Sequence, residues 1–317
     1  MVEYQLIEPT QLYNLLNQYL YHAFISDPYY LLLFDVRTKV EFEESHIVFA
    51  KHLKNEGHEK YHLPFDADLE CNRNIIVYDS NMEIPDEQSD AIKAAKYLYN
   101  KGSRNPVKVL KGGFMKFSEA YPFLRTQEIL YLPRKLEQYV TYPLEVIPGF
   151  LYLATRETSE NKRMHHELKI TAHVNTDSNI DPSYDHCPDA DSARISIDPN
   201  QGITVEFMHR ACDFMQKRRF EGRRVMIIST YSVSRNVTLA ISYLIKYSSM
   251  SLKDAWMYMK DVCNPMQPTW DYMRKLAQFE MECRGTGQVR ELTEDEFYRG
   301  YTGTCQVDSQ RKSALPC

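Results

Sequence analysis

RVMIISTYSVSRNVTLAISYLIKY, residues 224–247, is the stretch on which the reading of this chain turns. Val225 to Ile228 form an unbroken apolar run, the pattern of a strand buried on both faces. Ser229-Thr230-Tyr231-Ser232-Val233-Ser234-Arg235-Asn236 follows as a loop, and Val237 to Tyr247 returns to apolar residues at helical spacing. Strand, loop and helix in direct succession make an anion cradle. Backbone N–H groups and the positive helix N-terminus face one point, and Arg235 adds a two-pronged guanidinium for phosphate oxygens. Many strands run through a polar loop into a helix, so specificity has to come from the neighbours.

On either side the same alternation continues. Strands are expected at 151–154, 170–175 and 193–197, and helices at 203–220, 236–248, 251–263 and 268–283, the third with Ala255, Met259 and Val262 at core spacing. Further upstream, apolar runs at 30–36, 75–79 and 107–110 read as strands. SDAIKAAKYLYNKG at 89–102 reads as a helix closed by Gly102, and residues 10–18 as a helix that Thr10 can cap, with Leu12, Leu15 and Leu16 on one face. The expected fold class is α/β: two domains, each a parallel sheet covered by helices. At 126–141 the pattern loses regularity around Pro133, which places the domains at 1–125 and 142–284 around a linker, with 285–317 as a mobile tail.

A chain of 317 residues suits two cores of roughly 130 to 150 residues each. With 43% hydrophobic and 26% charged residues and a mean hydropathy of -0.50, it reads as a water-soluble globular protein. Net charge -5 and a pI near 6.1 lack the positive field that nucleic-acid backbones select. The seven cysteines, at 71, 187, 212, 263, 283, 305 and 317, never fall as Cys-x-x-Cys, which argues against a disulfide framework or zinc site and for a reducing compartment. MVEYQLIEPT lacks a signal pattern and no 18-residue apolar run occurs, so neither secretion nor membrane spanning is expected. A cytoplasmic location is the expectation, with mitochondrial and nuclear locations open. No cofactor or metal is implied, and oligomeric state stays open.

YPLEVIPGFLYLA at 142–154, LKITAHVN at 168–175, the Arg235 loop and NPMQPTWDYMRKLAQFE at 264–280 resemble, in order and spacing, the dual-specificity phosphatase domain. LLLFDVRTKVEFEESHI at 31–47, IIVYD at 75–79 and VLKGGFMKF at 109–117 are similar to the rhodanese-like module that precedes that domain in MAP kinase phosphatases. Within the group the nearest likeness is to the serine/threonine/tyrosine-interacting-like pseudophosphatases.

Active members of that family carry His-Cys-x-x-Gly-x-x-Arg. Laid on this chain, Ile228 takes the histidine position, Ser229 the cysteine, Ser232 the glycine, and Arg235 is retained, so three of the four defining residues differ. Attack on phosphorus needs a thiolate, which a free cysteine with pKa near 8.5 supplies once a helix dipole and an arginine lower it. A serine alcohol titrates far higher and must have a positioned general base, which Ile228 cannot be. A Cβ at Ser232 narrows a turn that glycine leaves open. What the resemblance retains is the phosphate-binding remnant from Ser229 to Arg235. The candidate for the family's general acid is Asp198 in ARISIDPNQGI; its spacing to the next helix is short by about one residue, which leaves the neighbouring acidic position of the family pattern open to it, and a turn or N-cap role before Pro199 is the plainer alternative.

Other Cys/Arg pairs are coincidental. His186-Cys187 and Arg194 are one residue too far apart, Cys212 and Arg218 lie in helical sequence, and Cys305 and Arg311 lie in the tail. In the rhodanese-like half, IIVYD delivers Asp79 where a sulfurtransferase has its sulfur-carrying cysteine, and a carboxylate cannot accept sulfane sulfur. Asp35, Arg37, Glu41 and His46 read as structural, Arg37 and Glu41 being spaced to pair, while Gly112 and Gly113 permit a tight turn. Lys51, Lys54 and Lys60 are diluted by Glu56 and Glu59, a poor match for the kinase-gripping arginines of that family. KRRFEGRR at 217–224 reads as a solvated helix end, with a partner site as the alternative.

The expectation is therefore a catalytically inactive phosphatase that binds phosphorylated proteins or regulates an active phosphatase or kinase-pathway protein. The competing readings are a weak phosphatase using Ser229 with Asp198 as acid, and a kinase-docking scaffold.

Overall fold

The computed structural model describes residues 2–19, 23–57, 60–65, 67–82, 87–129, 139–176, 194–196, 202–230, 233–264 and 266–285. It divides into two compact units, Met1–Pro148 and Gly149–Cys317. Residues 130–138 of the linker expected at 126–141, and the expected tail after Gly285, lie outside the described residues.

In the first unit β1 (Tyr4–Ile7), β2 (Leu31–Asp35), β3 (Ala50–His52), β4 (Asn74–Tyr78) and β5 (Val107–Leu110) form one sheet in the order β1-β5-β4-β2-β3, every pair parallel. β2 and β4 hold the middle because their apolar runs are buried on both faces. α1 (Pro9–Leu16), α2 (Lys39–Glu44), α3 (Asp90–Asn100) and α4 (Gly113–Ala120) accompany the sheet. α1 corrects the expected cap: Pro9 occupies its first position, Gln11 reaches back to accept from the Glu8 N–H at 2.8 Å, and the Thr10 hydroxyl lies 3.0 Å from that of Tyr121. The face predicted as apolar is wider than expected, because Tyr13 and Asn14 are buried with Leu12 and Leu16. Tyr13 donates to the Pro143 carbonyl, and Asn14 exchanges two 2.8 Å hydrogen bonds with the Glu145 backbone. That pairing explains why residues 142–148 fall in the first unit by contacts.

Gly112 and Gly113 turn the chain from β5 into α4 at φ 73 and 54. A Cβ on Gly113 would stand 2.5 Å from the Asp79 carbonyl and 2.8 Å from the Asn81 nitrogen, both backbone atoms that cannot swing aside. Gly57 also has positive φ but nothing within 4 Å of a built Cβ. Gly113→Ala is therefore expected to destabilise by about 2 to 4 kcal/mol and Gly57→Ala by about 1 kcal/mol, the difference isolating steric conflict from backbone strain. Urea midpoints of the two variants check this.

The second unit contains β6 (Leu151–Thr155), β7 (Ile170–Asn175), β8 (Arg194–Ser196) and β9 (Arg224–Ser229), running in the order β6-β9-β7-β8 with all these pairs parallel. α5 (Arg156–Ser159), α6 (Lys162–Leu168), α7 (Val205–Phe220), α8 (Arg235–Tyr247), α9 (Leu252–Val262) and α10 (Trp270–Arg284) complete it. β9 is central, with Ile227 in register with Leu153 on one side and Val174 on the other. α8 leaves its end and is buried continuously from Asn236 to Ile245, as a helix packed by others on all sides must be. Asn161 caps α6 by accepting from the Arg163 and Met164 N–H groups, and Thr204, Ser251 and Thr269 cap α7, α9 and α10 through their side chains. No helix among the described residues is long and apolar enough to cross a membrane.

Candidate functional site

β9 carries Ile228 and Ser229 to the end of the second sheet, Ile228 wholly buried opposite Ala154 and Asn175, and Ser229 opposite Thr155 with 6% exposure. Thr176, one residue beyond β7, clamps the start of the loop: its N–H and its hydroxyl both donate to the Ile228 carbonyl, at 3.0 and 2.8 Å. The Thr176 carbonyl in turn accepts from Arg235 Nη1 at 3.2 Å. One residue thus ties the two ends of the loop together. On the other side the Gln267 N–H donates to the Val233 carbonyl at 2.7 Å.

Ser234 sits at the N-cap of α8, and its carbonyl accepts from both the N–H and the hydroxyl of Thr238. Its own hydroxyl is buried without a hydrogen-bond partner among the described residues. Arg235 is exposed, and the contact to Thr176 occupies one of its five N–H donors. Tyr231, Ser232 and Asp198 lie outside the described residues, so the narrowing expected at Ser232 and the acid expected at Asp198 are not placed.

Residues 151–282 match the family model for the dual specificity phosphatase catalytic domain, and residues 8–120 that for the rhodanese-like domain. The chain joins a rhodanese-like domain to a dual specificity phosphatase domain. It is similar to human dual specificity protein phosphatase 16, 25% identical over 276 residues that cover 80% of this chain and 41% of that protein. It is likewise similar to a probable rhodanese domain-containing dual specificity protein phosphatase of Dictyostelium discoideum, 26% identical over 187 residues, 58% of this chain and 39% of that one. The chain therefore spans about two fifths of the length of these relatives. Among solved structures, the human tyrosine phosphatase-like serine/threonine/tyrosine-interacting protein aligns over 44% of this chain and 97% of its own, at 18% identity and a TM-score of 0.39.

Ser229, which the family motif laid on the chain puts at the cysteine position, shows no hydrogen bond through its hydroxyl to another described residue. The described cysteines do not substitute. Cys212 is buried in α7, and burial pushes its thiol well up. Burial raises Cys263 to about 12 and raises Cys283 too, while the hydrogen bond with Asp68 raises Cys71. Cys187, Cys305 and Cys317 lie outside the described residues.

The corresponding loop of the rhodanese-like domain is closed by its own side chains. Asp79 accepts from the Met82 N–H at 3.0 Å and from the Ser89 hydroxyl at 2.9 Å, while its carbonyl accepts from the Phe114 N–H at 2.8 Å. The expected Arg37–Glu41 pair is not formed as a hydrogen bond, because α2 begins at Lys39 and Arg37 precedes its cap. Arg37 instead grips Asp35 through Nε and Nη2, the latter at 2.6 Å, and donates to the Ser45 carbonyl at 2.7 Å. Burial alone would lower the Arg37 guanidinium; the bonds and charge of Asp35 outweigh it, and the net direction is upward. Glu41 accepts from Thr38 and Ser80, and the Thr38 hydroxyl leads in holding its carboxyl below the usual range. His46 bridges the Phe42 and Glu128 carbonyls, a structural role as expected. No group of three or more His, Cys, Asp or Glu among the described residues is arranged to hold a metal ion.

Proposed function

We propose that this chain is a catalytically inactive member of its phosphatase family, working by binding phosphorylated proteins or by regulating an active phosphatase or kinase-pathway protein. The observation that carries the reading is Ser229 at the nucleophile position with Ile228 before it and no base against its hydroxyl among the described residues. A serine in that setting stays protonated, and helix dipole and arginine together do not lower an alcohol far enough to ionise it near neutral pH. The means of holding an oxyanion are a separate matter: the Arg235 fork, the α8 N-terminus and the Ser234 hydroxyl.

The test uses purified full-length chain. Wild type and Ser229→Ala are expected to show the same absence of turnover on p-nitrophenyl phosphate, and a phosphotyrosine peptide bound by wild type is expected to lose at least about tenfold in affinity in Arg235→Ala. Wild-type turnover that Ser229→Ala abolishes overturns the inactive reading. Equal peptide affinity in wild type and Arg235→Ala removes the loop from the binding role.

A further inference from the structure

The other end of the phosphatase-domain sheet is strongly basic. β6, β7 and β9 start together there, since Leu151 is in register with Val225 and Ile170 with Arg224. Lys169, Lys217, Arg219, Arg223 and Arg224 lie at that end, exposed or half-buried, in a chain whose net charge is -5, while Arg218 among them is buried. Two of them, Arg219 and Arg224, are held in place by neutral acceptors. Arg219 Nη1 donates to the Tyr243 hydroxyl at 3.2 Å while its guanidinium stands 5.2 Å over Phe150, and Arg224 Nη1 donates to the Leu168 carbonyl at 3.1 Å. Glu221 takes Arg218 at 2.7 Å and Arg223 at 3.4 Å, one carboxylate shared by two guanidinia. Among these cations stands Phe220, 82% exposed at the last position of α7.

Lys169 supplies an independent sign. It closes α6 with a left-handed backbone, φ 54, at the helix C-terminal position where glycine is the usual residue. A lysine there carries strain and projects its exposed charge onto this face.

We propose that this end of the sheet is a docking surface for an acidic protein segment that seats an apolar residue against Phe220. Guanidinia fixed on Tyr243 and Leu168 are already ordered, so carboxylates bind them without the entropy loss of immobilising long side chains. A single protruding phenylalanine offers little apolar area to a bilayer, which favours a peptide over a membrane. The surface lies at the opposite end of β9 from Ser229, so both can be occupied at once, and the inference does not rest on the pseudophosphatase reading.

The probe is a fluorescein-labelled peptide of glutamates around a central leucine, titrated with full-length protein by fluorescence anisotropy. Wild type is expected to bind, more weakly as salt rises, and Lys169→Gly/Lys217→Ala/Phe220→Ser to lose at least about tenfold in affinity. Lys169→Gly relieves backbone strain, so circular dichroism and the thermal midpoint are expected to show a folded variant. Ser229→Ala is expected to bind the peptide as wild type does. Absence of binding at low salt, binding unchanged in the folded triple variant, or co-sedimentation with phosphatidylserine vesicles in place of peptide binding each overturns the proposal.

Discussion

Ile228→His combined with Ser229→Cys is expected to give the phosphatase domain measurable turnover, a rise of at least about a hundredfold over wild type on p-nitrophenyl phosphate. The new thiol would stand where β9 ends, 6% exposed at present as a serine, on the strand whose loop leads into the thirteen-residue α8 that starts at Arg235. Those are the surroundings that lower a thiol pKa from about 8.5 into the range where thiolate is populated near neutral pH. Two local conditions have to be met. Arg235 must turn from the Thr176 carbonyl, a 3.2 Å contact whose net loss costs about 1 kcal/mol, against a charge-assisted fork on the substrate that returns more. The imidazole must also find a partner at a position where Ile228 is now wholly buried. Ser232→Gly is the third substitution if the double variant shows no turnover, because the family motif carries glycine at that position. A folded triple variant without turnover would show that more than the changed motif residues separates this loop from a catalytic one.

How much of this was legible from residues alone follows from how local each signal is. The runs at 107–110, 170–175 and 224–229 match β5, β7 and β9 to the residue, because most of their positions are buried and carry short apolar stretches. The helices expected at 203–220, 236–248, 251–263 and 268–283 appear within two residues at each end. β1 carries no such word: its YQLI is an edge strand with two exposed residues, and only pairing with β5 defines it. α2, α5 and α6 are too short for a period to repeat. At the site, Ile228, Ser229 and Arg235 were readable because the motif has fixed spacing. Thr176 and Gln267 were not, because their contacts join β7, β9, α8 and the chain before α10 across long sequence distances. Arg37 misled for a related reason: i,i+4 spacing predicts a pair only within one helix, and α2 starts two residues later.

Arg37→Met is expected to be the most damaging single exchange in the rhodanese-like domain, lowering its stability by about 3 to 5 kcal/mol. Asp35 has no exposed side-chain surface and Arg37 only 6%, so the substitution leaves a buried carboxylate without its cation. The Arg37 backbone N–H, 2.9 Å from Asp35 Oδ1, remains but does not replace a two-point guanidinium. Part of the loss would also come from packing, since the guanidinium stacks 3.8 Å from the Phe114 ring centroid. A double-mutant cycle separates the two causes. If the orphaned charge dominates, Asp35→Leu/Arg37→Met is less destabilised than Arg37→Met alone in urea unfolding of the full chain, because the double exchange leaves no buried ion. If packing dominates, the double variant is at least as unstable as the single. The first outcome makes Asp35 and Arg37 a brace of the first sheet, motif residues that serve the fold.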